Sequence, residues 1–151
     1  NNTIQMIKRY LPDVNLSTDI IVGFPTETEQ DFNDTLNLLK EVEYNTVFGF
    51  MYSKRTGTPA ATFAGQISTA TKKERVNRLL DLQRQIEQKK LQRFVGKQIE
   101  VLMTEKKSGK VFGKTDCGIN VIIENAKCFA VDFVTVKVLG IKNTKLIAEV
   151  V

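Results

Sequence analysis

The chain of 151 residues contains no histidine. That absence excludes a Ser-His-Asp triad, a Cys-His pair and any His-ligated metal within the chain. Cysteine is scarce: Cys117 and Cys128 have ten residues between them, and there is no C-x-x-C. Two thiols fall short of the three or four that a zinc or iron–sulfur site usually takes. They also make no disulfide scaffold in a chain of this length, so a reducing cytoplasm is the expected compartment. No apolar run approaches the ~18–20 residues that a membrane span needs. The opening Asn-Asn-Thr-Ile lacks the basic start and apolar core of a signal peptide. It also lacks an initiator Met, as expected for a piece of a longer protein.

What is present is ordinary for a soluble globular chain, with 42% apolar and 26% charged residues. The length allows one domain or two small ones. Charge divides the chain. Residues 1–87 carry 10 basic and 11 acidic side chains, net −1, whereas residues 88–151 carry 12 and 6, net +6. An excess confined to one end points to two units with different partners, the second partner being anionic. Solubility alone is the competing explanation.

The first half alternates helix and strand. Ile4, Ile7 and Leu11 share a helical face that Pro12 stops. Ser17 to Gly23 holds a short continuous apolar run, the pattern of a strand buried on both sides of a parallel sheet. Thr28 and Asp31 form a capping-box start for a helix over about 28–42. Val47 to Tyr52 is the next strand, and Ser53 to Pro59 is a loop. Thr71 and Glu74 form a second capping box, opening a long helix that runs to Val95-Gly96. This order predicts a parallel α/β unit. Two strands do not complete a sheet or barrel, so the unit reads as the end of a larger α/β domain. Its exposed edges and uncovered apolar face favour association, as a homodimer or a swapped assembly.

The second half reads as all-β. Ile99, Val101 and Met103 alternate with Gln98, Glu100 and Leu102. Lys106-Lys-Ser-Gly109 is a hairpin turn, Val111–Thr115 and Ile119–Glu124 are strands, and Asn125-Ala-Lys127 is a break. Phe133 to Leu139 follows, Gly140 to Asn143 turns the chain, and Leu146, Ala148 and Val150 alternate in the last strand. About five strands in this length suit a small OB-like barrel, an architecture that binds single-stranded nucleic acid through basic grooves and stacked aromatics. Lys106, Lys107, Lys110, Lys114, Lys142 and Lys145 cluster near turns, and Phe112 lies between two of them. As a set they are candidate RNA contacts; singly, each also reads as a solvated turn lysine.

Three segments together resemble one family. Ser17-Thr-Asp-Ile-Ile-Val-Gly-Phe-Pro-Thr-Glu-Thr-Glu-Gln-Asp-Phe32 is similar to a signature of radical-SAM methylthiotransferases. Phe50-Met-Tyr-Ser-Lys-Arg-Thr-Gly-Thr-Pro-Ala-Ala61 and the Lys72–Gln83 helix match their following segments. Residues 90–151 resemble the TRAM domain that ends these enzymes, with the MiaB branch nearest. The resemblance implies an α/β remnant of a (β/α) radical-SAM barrel over 1–87 and an RNA-binding TRAM barrel over 88–151. It implies tRNA as partner, with S-adenosylmethionine and two [4Fe–4S] clusters as cofactors. The activity implied is methylthiolation of N6-isopentenyladenosine beside the anticodon. Ile21, Gly23 and Phe24 would lie near the adenine of S-adenosylmethionine. Arg55 stands in the loop after the second strand, facing either substrate or solvent.

The chain departs from the family in two ways. The cluster cysteines of the family lie upstream of the matching segments and have no counterpart here, so the chain alone is expected to hold no catalytic residue, no metal and no radical activity. Thr26 stands where the family has Gly, which would restrict the loop. Two further readings stay open at this point: an RNA-binding module without chemistry, and a sister enzyme acting on threonylcarbamoyladenosine or a ribosomal protein.

Overall fold

A computed structural model describes residues 2–12, 14–125 and 130–151. Cys128 and most of the expected Asn125–Lys127 break lie outside the described residues. The chain divides into two compact units, Asn1–Ile86 and Glu87–Val151.

The first unit runs α1 (Asn2–Tyr10), β1 (Ser17–Val22), α2 (Glu29–Val42), β2 (Thr46–Met51) and the start of α3 (Thr69–Gln92), with a short 3-10 turn over Pro59–Ala61. β1 and β2 pair in parallel, Ser17 opposite Thr46 through to Val22 opposite Met51. The capping box forms as the sequence predicts: the Thr28 hydroxyl accepts from the Asp31 N–H, and the Asp31 carboxylate accepts from the Thr28 N–H. Phe32, Leu39 and Leu79 come from the helices and Val22 and Val47 from the strands, and together they make the core.

Three local expectations are corrected. β1 is not buried on both sides. Strand side chains alternate between faces, and the register puts Ile21 beside Phe50 and Asp19 beside Phe48. Ile21, Phe48 and Phe50 are 58%, 52% and 51% exposed; the helices cover the opposite face alone. α3 begins at Thr69, two residues before the expected start. Ser68 accepts the Thr71 N–H at 3.1 Å, and Glu74 pairs with Arg78 at 3.1 Å rather than closing a capping box. At its other end α3 stops at Gln92. Phe94 and Val95 then donate to carbonyls three residues back, tightening the chain before Gly96.

The second unit holds β3 (Gln98–Lys107), β4 (Lys110–Lys114), β5 (Asn120–Glu124), β6 (Phe133–Lys142) and β7 (Lys145–Val150). They close in the order β3-β4-β5-β7-β6. β5 and β7 run parallel, and every other neighbour is antiparallel. The β3–β4 turn uses Ser108 and Gly109, both at positive φ, which matches the twist of a two-residue hairpin. Val101, Val121, Val136, Leu146 and Ala148 fill the interior with no exposure. Gly113 has no room for a side chain: a Cβ there would stand 2.5 Å from Val101 Cγ1. The expected turn at Gly140–Asn143 is narrower than the sequence suggests. β6 continues to Lys142, Leu139 forms a bulge, and Asn143 alone takes the left-handed conformation. A glycine inside a strand pattern marked a bulge, not an end.

Candidate functional site

The C-terminal ends of β1 and β2 open into a cavity of about 520 Å3, lined among others by Ile21, Phe24, Phe50, Tyr52 and Arg55. Its walls are almost wholly apolar. The Phe24 ring meets Tyr52 edge-on at 5.2 Å and Phe63 at 6.3 Å. Of the residues expected at the cofactor, Ile21 and Phe24 line this cavity. Gly23 serves the turn beneath it. Its φ of +72° suits glycine, and a Cβ would stand 2.2 Å from Lys72 Cγ. Its N–H donates to both carboxylate oxygens of Glu27, at 2.9 and 3.0 Å.

A charged network on α3 holds this turn. Buried Arg75 donates to Glu27 Oε1 at 2.6 Å and to the Glu27 carbonyl at 3.1 Å. Lys72 Nζ donates to the Tyr52 carbonyl at 3.0 Å, tying the end of β2 to the same helix. Arg75 and Arg78 lie over the Phe32 ring at 5.6 and 4.8 Å. Arg78 also pairs with Glu29 at 2.6 Å. Its guanidinium holds the Glu29 carboxyl below the ordinary value, and the pair in turn raises the Arg78 pKa. Thr26, in the family's glycine position, has φ +72° and donates its N–H to the Gly65 carbonyl at 2.9 Å. A β-branched residue in that region is strained.

Glu27, Lys72 and Arg75 hold the turn beside the cavity, a set that the sequence reading did not bring together. Glu27 appears there only as part of the quoted Gly-Phe-Pro segment, and Arg75 lies 48 residues away in the chain. No periodicity links them. The one available signal was that both sit in segments carrying the resemblance.

The implied cofactors fit unequally. An iron–sulfur cluster requires three or four thiolates. The chain has two cysteines, and among the described residues no group of three His, Cys, Asp or Glu is placed to hold a metal. The residues present therefore do not fit a cluster. The cavity at Ile21 and Phe24 is the kind of apolar, aromatic-walled cleft that takes a flat ring, so it fits the adenine end of S-adenosylmethionine.

On the barrel, register sorts the candidate lysines, because antiparallel partners share a face. Lys106 faces Val111, whose side chain is inside the barrel, so Lys106 lies on the inner side of the hairpin. Lys107 and Lys110 oppose each other on the outer side. Phe112 and Lys114 are also on the outer side. Lys142 opposes Lys145, and Lys145 Nζ lies 5.7 Å above the Phe112 ring. Phe112 opposes Ile122, which lies beside Ile147. The structure thus gathers Phe112, Lys114, Lys142 and Lys145 on one outer face. Lys107 and Lys110 are on the outer side at the tip of the hairpin, and Lys106 is on its other side.

Residues 92–151 match the TRAM domain, so the five-stranded barrel defines the class: this is a TRAM-domain protein with an α/β unit ahead of the barrel. The whole chain has further likenesses. It is 42% identical over 151 residues, 98% of its length, to the tRNA-2-methylthio-N(6)-dimethylallyladenosine synthase of Clostridium botulinum (strain Langeland), covering 34% of that protein. The Aquifex aeolicus protein of the same name is 47% identical over 112 residues, 74% of this chain and 26% of that protein. The chain thus spans about a third of the length of the curated relatives it matches. It belongs to the MiaB family of tRNA methylthiotransferases and corresponds to the C-terminal portion of its members.

Proposed function

We infer that this chain is the C-terminal part of an enzyme that methylthiolates N6-isopentenyladenosine next to the tRNA anticodon. In this reading the barrel holds tRNA and the α/β unit contributes two strands to the radical-SAM domain. The observation that carries it is identity maintained across both units to synthases of that name. The net +6 of residues 88–151 supports a polyanionic partner for the barrel, and Lys114, Lys142, Lys145 and Phe112 form its best-assembled face. S-adenosylmethionine, when bound, supplies the methyl group and the radical chemistry. The contribution of this chain is to bind its adenine between Ile21 and Phe24 and to exclude water there. Glu27 and Arg75 keep the Gly23 turn in place beneath that wall.

The complete enzyme encoded with this chain, purified anaerobically with its clusters reconstituted, is expected to convert isopentenyladenosine in tRNA to its methylthio form. Nucleoside mass spectrometry reads the product, and its absence overturns the reading. The 151-residue chain alone is expected to bind tRNA without turnover, because it lacks cluster thiolates. That affinity should fall steeply with salt through counterion release.

A further inference from the structure

The barrel has a concave feature of its own, away from the turns that carry Lys106, Lys107, Lys142 and Lys145. A cleft of about 280 Å3 is lined by Phe94, Glu100, Thr115, Asp116, Cys117 and Phe133 among others. Phe133, at the start of β6, is 62% exposed. Phe94 packs against the barrel core, and the Arg93 guanidinium lies 5.1 Å over its ring. One aromatic is thus anchored and the other presented to solvent. Leaving a phenylalanine ring in water forgoes the gain of burying it, and aromatic rings beside cationic groups are the usual stacking platform for nucleic acid bases. The cleft lies below the range of about 300–1,000 Å3 typical of small-molecule pockets, a size suited to a single ring system.

Two further observations point the same way. Phe133 opposes Leu102, Leu102 opposes Lys114, and Lys114 opposes Asn120, so one belt around the barrel leads from the cleft to a cationic side chain. The polar side chains facing the cleft include two carboxylates, which accept hydrogen bonds and do not donate. Asp116 spends one oxygen on the Cys117 N–H at 2.7 Å. Guanine, with N1–H and N2–H side by side, matches a carboxylate; uracil offers one N–H flanked by two carbonyls, which a carboxylate repels. An anionic lipid headgroup, lacking a flat apolar ring, suits neither the carboxylates nor Phe133.

We propose that this cleft is a nucleobase subsite selective for guanine. Phe133 stacks on one base of a single-stranded RNA segment, Glu100 and Asp116 accept from its Watson–Crick edge, and Lys114 neutralises the neighbouring phosphate. The proposal rests on the barrel being the part that holds tRNA.

The test uses the complete 151-residue chain and two fluorescein-labelled RNA octamers, one all uridine and one with a single central guanosine. Anisotropy at low salt is expected to show about tenfold tighter binding of the guanosine octamer. A Glu100→Gln/Asp116→Asn double variant brings the two RNAs to equal affinity. Phe133→Ala weakens the guanosine octamer about tenfold with an unchanged salt slope, whereas Lys114→Ala lowers the slope by about one. The chain contains no tryptophan, so Phe133→Trp installs a single indole whose emission stacking should quench. Emission unchanged while anisotropy reports binding overturns the subsite and leaves the tRNA reading standing. A wild-type chain that binds neither octamer nor unmodified tRNA overturns both.

Discussion

The closed barrel and the two-stranded sheet are built from the same kind of strand and end in opposite conditions. In the barrel, β6 pairs with both β3 and β7, so the ladder has no free edge and its inner face is sealed around Val101, Val136 and Leu146. In the first unit, β1 and β2 pair with each other alone among the described residues, and Ile21, Phe48 and Phe50 remain open. Alternating apolar residues become core only where the sheet curls back on itself or a helix covers it. The open sheet is stabilised instead from one side, by α2 and α3 and by buried charge. The barrel is held by apolar packing, and the site turn of the first unit by ion pairs.

That contrast can be broken by substitution. The largest effect is expected from Arg75→Ala, which leaves the Glu27 carboxylate without its buried partner. Removing one member of such a pair costs about 3–5 kcal/mol. Hydrogen exchange read by mass spectrometry should show lost protection over β1, α2 and β2, with β3–β7 still protected. Equal loss in the barrel would mean that the two units do not open separately. Leu146→Ala reverses the pattern. Leu146 has no exposure, and such truncations cost about 2–5 kcal/mol, here spent in the barrel while the sheet keeps its protection.

Smaller changes sharpen the comparison within the first unit. Thr26→Gly removes a β-branched side chain from the left-handed region and should stabilise that unit by about 1 kcal/mol, seen as a higher urea midpoint for its transition. An unchanged or lower midpoint would show that Thr26 packing against Gly65 outweighs the backbone strain. The smallest expected effect is of pH. The Thr28 hydroxyl, then its backbone N–H, hold the Asp31 carboxyl below its ordinary value. A depressed carboxyl pKa contributes stability above the unfolded value, about 3.9, and loses it as pH falls through the folded one. The protection of the Phe32 amide, whose N–H donates to the Thr28 carbonyl, should therefore fall on acidification once its exchange is corrected for the intrinsic pH dependence. Barrel amides should not follow at the same pH.

Much of this was legible in the residues. Thr28 and Asp31 announced α2, because a capping box is a contact three residues apart. Ser108-Gly109 announced a hairpin, because a tight turn needs positive φ. The charge changes at residue 87, beside the boundary between the two compact units. The candidate site was legible in part. Ile21 and Phe24 line the cavity at the strand ends, and Gly23 is packed against Lys72 and bonded to Glu27. Of the six lysines, all but Lys106 lie on the outer side of the strands with Phe112, and Lys145 reaches over its ring.

The sequence by itself determined the order of elements, the capped start of α2, the β3–β4 hairpin turn and the lack of thiolates for a cluster. Each is settled by local spacing or by counting. Only the tertiary structure decided that Glu27 meets Arg75 across 48 residues, that β5 and β7 run parallel to close the barrel, that Lys106 is on the other side of its hairpin from Lys107 and Lys110, and that one face of β1 stays bare. These depend on register and on which surfaces meet. One residue of register exchanges the two faces of a strand, and nothing in a strand's own sequence states what will lie against it.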